Sequence, residues 1–365
     1  MGLSMKHKKI VIKIGTSVLA RDVGVDRAVI DGLAEDVSAL CEKGIKVIIV
    51  SSGAIGAGTK VLKLRHVPAS LSGLQAAAAI GQNELMRIYG EAFRKRGYIT
   101  GQILLTQADF DDRARFLNIK YTIDALLAKG AVPIVNENDT VSTEEIKCGD
   151  NDRLSSLVTD LSSADALVIL SDVDGLYDKN RKVIRAVSDI SPEIKKLAGG
   201  KTSRLTKGGM VTKIEAAERV ASSGADCYIA NGRKKNIVSR VTEGTAVCTH
   251  FRAKPARDRA RKRWIAYSSK AKGRILVDGG AKRALVTGKK SLLSSGIVGK
   301  EGNFKAGDVV GITDAEKKEF ARGLTNYSSG EIARIKGLKT REIESALGYR
   351  DHDEVIHRDN LVILE

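Results

Sequence analysis

From Ile10 to His250, continuous apolar runs of strand length alternate with longer segments in which apolar residues recur every three or four positions. The runs Lys9 to Ile14, Ile45 to Val50, Ile99 to Thr106, Val132 to Val135, Ala166 to Leu170 and Cys227 to Ala230 are mostly uninterrupted, as expected of strands covered on both faces. Between them, Leu74, Ala78, Gly81, Leu85 and Ile88 keep helical spacing, as do Leu154, Leu157, Val158 and Leu161, and then Met210, Ile214, Ala217 and Ala221. This β-α repeat predicts an α/β unit with an open, mostly parallel sheet sandwiched by helices. From Gly273 onward the texture changes. Short β-rich pieces, Arg274 to Val277, Ala284 to Val286, Asp308 to Ile312 and Ile332 to Ile335, are broken by Gly every few residues, which predicts a small C-terminal β-barrel. The expected division is 1–251 for the α/β domain, 252–270 for a linker and 271–365 for the β-rich domain.

Length and composition narrow the class of protein that this pattern builds. At 365 residues the chain suits about two domains, and 42% hydrophobic against 29% charged residues is an ordinary globular balance. Residues 1 to 9 include basic groups but no apolar core of signal-peptide length, and no apolar run approaches the ~18 residues of a membrane helix. A cytoplasmic protein without a membrane partner is expected. Cys41, Cys148, Cys227 and Cys248 are scattered, with no Cys-x-x-Cys pair, so neither a zinc site nor a disulfide framework is written here.

The net charge of +17 invites a polyanionic partner, but its distribution tempers that. Residues 1–251 carry +7 and residues 271–365 carry +3, whereas residues 252–263 alone carry +6. The excess sits in the linker, where a solvated connector and a contact with RNA or an acidic neighbour are both open readings.

Ligands of open parallel sheets bind beyond the carboxyl ends of the strands, and the polar residues of this chain collect there. Lys13 lies near the end of the first strand; the second runs into Ser51-Ser52-Gly53, the fourth into Asn136-Glu137-Asn138-Asp139 and the fifth into Ser171-Asp172. A lysine in an apolar strand is costly to bury unless it meets an anion, the alternative being that it snorkels to the surface. Ser52-Gly53, with Gly56 and Gly58, leads into a helical segment whose first N–H groups could face a phosphate or carboxylate. Gly149-Asp150-Asn151-Asp152 precedes an amphipathic helix; one of these polar residues suffices as its cap, leaving two for the rim. Thr206-Lys207-Gly208-Gly209-Met210-Val211-Thr212-Lys213 opens another helix, on which Lys213 falls beside the apolar stripe. Two separated lysines and two glycine-backed helix starts fit phosphoryl transfer, where catalysis is largely positioning and charge neutralisation. Gly199-Gly200-Lys201-Thr202 lacks the first glycine and the preceding strand of a P-loop, and His352 with His357 lacks the spacing of a zinc-binding pair.

In combination and order, Lys13-Ile-Gly-Thr-Ser-Val18, Val50-Ser-Ser-Gly-Ala54, the segment Asp109 to Asn118, Val135-Asn-Glu-Asn-Asp139, Ile146-Lys-Cys-Gly-Asp-Asn-Asp152, Asp172-Val-Asp-Gly-Leu-Tyr177 and Gly208-Gly-Met-Val-Thr-Lys213 resemble the glutamate 5-kinases of the amino-acid kinase superfamily, with a C-terminal PUA domain. The resemblance covers about Lys8 to the C-terminus. It implies transfer of the γ-phosphoryl of ATP, with Mg²⁺, to the side-chain carboxylate of L-glutamate in the first step of proline synthesis. By the same resemblance, Lys13 and Lys213 would stabilise the transferring group, and Asp152 would orient those lysines and the Mg²⁺-nucleotide. Ser52, Asp139 and Asn151 would hold glutamate. Lys13, Ser171, Asp172, Lys207, Gly208, Gly209, Met210, Val211, Thr212 and Lys213 would hold the nucleotide. Feedback inhibition by proline is also implied, for which Asp109 and Glu145 are the expected tuning residues, as is assembly into a dimer or tetramer. One position departs from the family loop Gly-Thr-Gly-Gly-Met: here Lys207 replaces the small hydroxyl.

A carboxylate acceptor is already ionised at neutral pH, so no general base is required and a rim without histidine is consistent with this chemistry. The rival reading is an RNA-binding accessory protein acting through the basic run and the PUA-like tail, and a third is a kinase of another small carboxylate.

Overall fold

The structure, a computed structural model, describes residues 7–20, 24–142, 151–198, 209–254 and 271–364. They form two compact units, the larger made of the described residues up to 112 and from 118 to 254, the smaller of residues 113–117 and 271–364.

The larger unit carries strands β1 (Lys9–Ile14), β2 (Lys46–Ser51), β3 (Thr100–Leu105), β4 (Val132–Glu137), β5 (Ala166–Ser171), β6 (Ala186–Val187), β7 (Asp226–Asn231) and β8 (Cys248–Phe251) in one sheet of order β3-β4-β2-β1-β5-β7-β8-β6. All neighbours run parallel except β7 and β8. The helices along this part of the chain are α1 (Thr16–Leu19), α2 (Arg27–Glu42), α3 (Ala54–Val61), α4 (Leu71–Arg94), α5 (Gln107–Asp111), α6 (Arg113–Ala128), α7 (Asn151–Ser162), α8 (Pro192–Ala198), α9 (Met210–Ser222) and α10 (Ile237–Thr242), of which the first five residues of α6 group with the smaller unit. Each of the six strands expected from apolar runs forms. β6 and β8 do not announce themselves, because they span only two and four residues and pair at the far edge of the sheet.

The pleat of β1 decides what the two faces of the sheet do. Ile10, Ile12 and Ile14 pack into the core with Ile30 and Leu33 of α2, Leu85 and Ile88 of α4, and Val238 and Val241 of α10. Successive side chains of a strand point to opposite faces, so Val11 and Lys13 belong to the other layer. Lys13 lies in register with Val50 of β2 and Ile169 of β5, and only 3% of it is exposed.

α3 and α4 meet backbone to backbone. A Cβ on Gly58 would lie 1.7 Å from the Ala77 carbonyl oxygen, and one on Gly81 would lie 1.8 Å from that of Ala54. This contact holds the start of α3, and hence the Ser52-Gly53 turn before it, against the long α4. Gly53 itself takes φ +104°, a left-handed conformation that suits glycine.

The smaller unit is a five-stranded sheet of β9 (Gly273–Val277), β10 (Ile297–Gly302), β11 (Val309–Thr313), β12 (Glu319–Leu324) and β13 (Leu361–Ile363), in order β10-β9-β11-β12-β13. Its core gathers Ile275, Val277, Val310, Ile312, Ile332 and Ile335. Two of the β-rich pieces expected from sequence are helical instead. Ala284 to Val286 ends the helix Gly279–Val286, whose start is capped by Asp278 accepting from the Ala281 N–H at 2.7 Å. Ile332 to Ile335 lies in the helix Ser329–Ile335, which begins with a reciprocal Ser328 and Glu331 capping box. In both places the capping residues outweigh the β propensity of the short apolar run.

Replacing Gly81 by alanine forces a methyl group into a carbonyl that cannot yield, so Gly81→Ala is expected to cost about 1–3 kcal/mol, read as a lowered midpoint in denaturant unfolding.

Candidate active site

β1 is the point at which the chain order reverses: β2 lies on one side of it and β5 on the other. In such sheets the crevice opens beyond the carboxyl ends of these strands. Lys13 approaches that end from β1. Asp152, in the first turn of α7, is fully buried and sits where the helix dipole favours a negative charge. Lys213, 7% exposed, comes from the first turn of α9.

These three side chains form one charge centre. Asp152 Oδ1 lies 2.5 Å from Lys13 Nζ, and Asp152 Oδ2 accepts from Lys213 Nζ at 3.1 Å. The Thr212 hydroxyl donates to the same Oδ2 at 2.9 Å, a contact that sequence reasoning missed. With two ammonium groups on one carboxylate, the centre carries a net positive charge withdrawn from water, ready to receive an anion. Cys227 is buried close by, and burial, helped by Asp152, pushes its thiol up and keeps it protonated, which leaves it without nucleophilic character.

A second cluster adjoins the first through the peptide bond between Asn151 and Asp152. Asn151 Nδ2 donates to the Ser51 carbonyl and to Asn136 Oδ1, both at 2.8 Å, and reaches Ser52 Oγ at 3.2 Å. Asn136 Oδ1 also accepts from the Glu137 N–H at 2.9 Å, and Asn136 Nδ2 donates to Gln82 Oε1 at 2.8 Å. The ends of β2 and β4 are thereby tied to the start of α7. Tyr89, fully buried on α4, supports the same strand end through a 2.9 Å hydrogen bond with Ser51 Oγ, and burial pushes its phenol up.

A cavity of about 1190 Å³ opens over this cluster, with Ser52, Gly53, Asn136, Asp139, Asn151 and Thr212 in its wall. Of the expected site residues, Ser52, Asp139, Asn151 and Thr212 thus share one cavity, and Lys13, Asp152 and Lys213 share one ion-pair centre. Ser171 and Asp172 stand apart at the end of β5, where Ser171 Oγ donates to Asp172 Oδ1 at 3.1 Å and Ser17 Oγ reaches that oxygen at 3.4 Å. Gly209 is the N-cap of α9, followed by half-buried Met210 and exposed Val211. Lys207, Gly208 and Glu145 lie outside the described residues. Asp109 caps α5, accepting from the Thr106 N–H at 2.7 Å, and α5 supplies Gln107 and Phe110 to the cavity wall.

Gln82 was also missed. The available signal is its position: Ala78, Gln82, Leu85 and Tyr89 follow the buried face of α4, so an amide interrupts an apolar stripe.

Comparison with known proteins bears directly on this arrangement. Residues 8–231 match the model of the amino acid kinase family, and residues 273–347 match the PUA domain. A glutamate 5-kinase of Caldanaerobacter subterraneus subsp. tengcongensis is 48% identical over 98% of this chain and 98% of its own length. The chain belongs to the glutamate 5-kinase family. Other glutamate 5-kinases, from Syntrophotalea carbinolica and Myxococcus xanthus, are 47% and 45% identical, each over 98% of this chain and over 97% and 96% of their own lengths. The larger unit is therefore the amino acid kinase fold and the smaller one the PUA domain. Among solved structures, carbamate kinase from Giardia lamblia bound to AMP-PNP aligns over 68% of this chain and 99% of its own, with 18% identity and a TM-score of 0.49, a likeness too distant to bear on the site.

In this member of the glutamate 5-kinase family, removing Asp152 leaves two buried ammonium groups without their shared counter-charge. Asp152→Ala is expected to lose about 3–5 kcal/mol of stability, measured by denaturant unfolding of the ligand-free protein.

Proposed function

We propose that the protein transfers the γ-phosphoryl group of ATP to the side-chain carboxylate of L-glutamate, giving L-glutamyl 5-phosphate and ADP, the first step of proline biosynthesis. The observation that carries this reading is the buried Asp152 carboxylate shared by Lys13 and Lys213, one residue away from the cavity-lining Asn151.

Glutamate enters the cavity with its backbone groups toward Ser52, Asn151 and Asp139, the Asp139 carboxylate meeting the ammonium. Its side-chain carboxylate oxygen forms the new bond to the γ-phosphorus while the bond from that phosphorus to the bridging oxygen breaks, and the electron pair leaves with ADP. No proton has to be removed, because the acceptor is ionised at neutral pH. Lys13 and Lys213 exchange part of their contact with Asp152 for the equatorial oxygens of the transferring group, where charge is spread in the transition state. Asp152 keeps both ammonium groups aimed, and Thr212 keeps Asp152 aimed. Ser171, Asp172 and the segment 207–213 bind the nucleotide. Among the described residues no group of three His, Cys, Asp or Glu side chains could hold a metal ion. Mg²⁺ would arrive with the nucleotide and neutralise charge on its phosphates.

The working division of the chain is 1–251 for catalysis, 252–270 as a basic linker and 271–365 as the PUA domain. A cytoplasmic homo-oligomer, dimer or tetramer, with proline as feedback inhibitor, completes the reading; among the described residues no helix is long and apolar enough to cross a membrane. RNA contact by the PUA domain is a separate property, favoured by the +6 charge of residues 252–263.

The deciding experiment measures ATP consumption with Mg²⁺ and L-glutamate, L-aspartate, N-acetylglutamate or UMP, trapping acyl phosphate with hydroxylamine. Glutamate alone is expected to give a hydroxamate, and Lys213→Ala is expected to lower kcat by at least about 10²-fold. Hydroxamate from another carboxylate, or from none, overturns the assignment. For regulation, proline inhibition is expected to weaken in Asp109→Asn and Glu145→Ala, and wild-type sensitivity in both removes those residues from the proposal. RNA binding is expected to fall steeply with salt and to disappear when residues 252–365 are deleted.

A further inference from the structure

The orientation of a side-chain amide is ordinarily ambiguous, because its oxygen and nitrogen are interchangeable in shape. Here two backbone groups remove the ambiguity along a chain of three amides. The Ser51 carbonyl can only accept, so the end of Asn151 that lies 2.8 Å from it is Nδ2. The Glu137 N–H can only donate, so the end of Asn136 that meets it at 2.9 Å is Oδ1, the atom that also accepts from Asn151. Asn136 Nδ2 is then turned to Gln82, which must answer with Oε1. Gln82 Nε2, the far end of the chain, is buried and has no hydrogen-bond partner among the described residues, although Gln82 as a whole is only 8% exposed. A buried amide that leaves its donor unpaired while spending its acceptor on Asn136 is held there for that acceptor.

We propose that Gln82 is a positioning residue that anchors Asn136 as the acceptor for Asn151 Nδ2 and so keeps Asn151 Oδ1 presented to the substrate. Among the described residues every side-chain hydrogen bond of Asn151 uses Nδ2, and Asn151 lines the cavity, so Oδ1 is the end left for a ligand. An exposed carbonyl oxygen accepts from an ammonium group and offers nothing to a carboxylate. The relay therefore selects for the α-ammonium of an amino acid over the same diacid without it. Without the Gln82 acceptor, Asn136 Nδ2 loses its partner inside the protein, and Asn136, still turned by the Glu137 N–H, is held less firmly as the acceptor for Asn151. The inference rests on the glutamate kinase reading and adds to it the residue that reads the substrate's amino group at a distance.

The test compares wild type, Gln82→Met and Gln82→Glu by the KM for L-glutamate, the KM for ATP and the inhibition constant of glutarate, the diacid lacking the ammonium. Methionine fills the same space without an acceptor, whereas glutamate at position 82 still accepts from Asn136. Since both ligands carry the reacting carboxylate, the ratio of the glutarate constant to the glutamate KM cancels charge effects common to the two. In Gln82→Met the glutamate KM is expected to rise by at least about tenfold, with the glutarate constant and the ATP KM within about twofold of wild type. In Gln82→Glu the ratio stays within about threefold of wild type, since the acceptor is kept. An unchanged glutamate KM in Gln82→Met, a parallel loss in all three constants, or the same loss of ratio in Gln82→Glu overturns the inference alone. A wild-type protein that yields no glutamate-dependent hydroxamate overturns the parent reading and this inference with it.

Discussion

Two ammonium groups and one carboxylate, almost withdrawn from water, impose the central demand on this fold. Burying any one of them alone is costly, and burying them together is tolerable only when the geometry is good and the remaining polar valences are met. The protein meets the demand by bringing three unrelated segments to one point: the end of the central strand β1, the first turn of α7 and the first turn of α9. Strand order, the pleat of β1 and the starts of both helices are all bound by that requirement. The Thr212 hydroxyl adds a neutral donor where a third cation would overcharge the carboxylate.

The neighbouring amide cluster solves a different problem with different means. It holds the rims of β2 and β4 to α7 with uncharged groups, whose directions are fixed at two points by the Ser51 carbonyl and the Glu137 N–H. The charged centre and the amide cluster are joined through adjacent residues, Asn151 and Asp152, so a displacement of the helix start is felt in both halves at once. This coupling gives a physical reason for the Gly58 and Gly81 contacts, since the backbone approach of α3 to α4 anchors the turn that faces Asn151.

Much of this was legible in the residues. Lys13 in an apolar strand and Lys213 beside an apolar stripe each broke a local pattern, and both breaks pointed to the charge centre. The six long strands followed from uninterrupted runs. What escaped had a physical cause in each case. β8 is four residues long with polar Thr249 and His250 in it, so no run marks it. The C-terminal helices at Gly279 and Ser329 are short, and their signal lay in Asp278 and in Ser328 with Glu331 rather than in periodicity. The amide cluster joins residues 54 and 100 positions apart, which only the folded sheet order brings together, although Gln82 within the buried face of α4 was a visible anomaly.

Those separations also bear on how the molecule comes into being. Contacts between distant parts of a chain form late, because the entropy of closing long loops must be met before they return any stability. Lys213 meets Asp152 across 61 residues and Asn151 meets Ser51 across 100. During synthesis, then, the nascent polypeptide holds its first lysine, its carboxylate and its amides apart until α7 has emerged, and the second lysine joins them only with α9. Partially made or partially unfolded chains are left with no working remnant of the site, and the assembly of the charge centre coincides with completion of the domain.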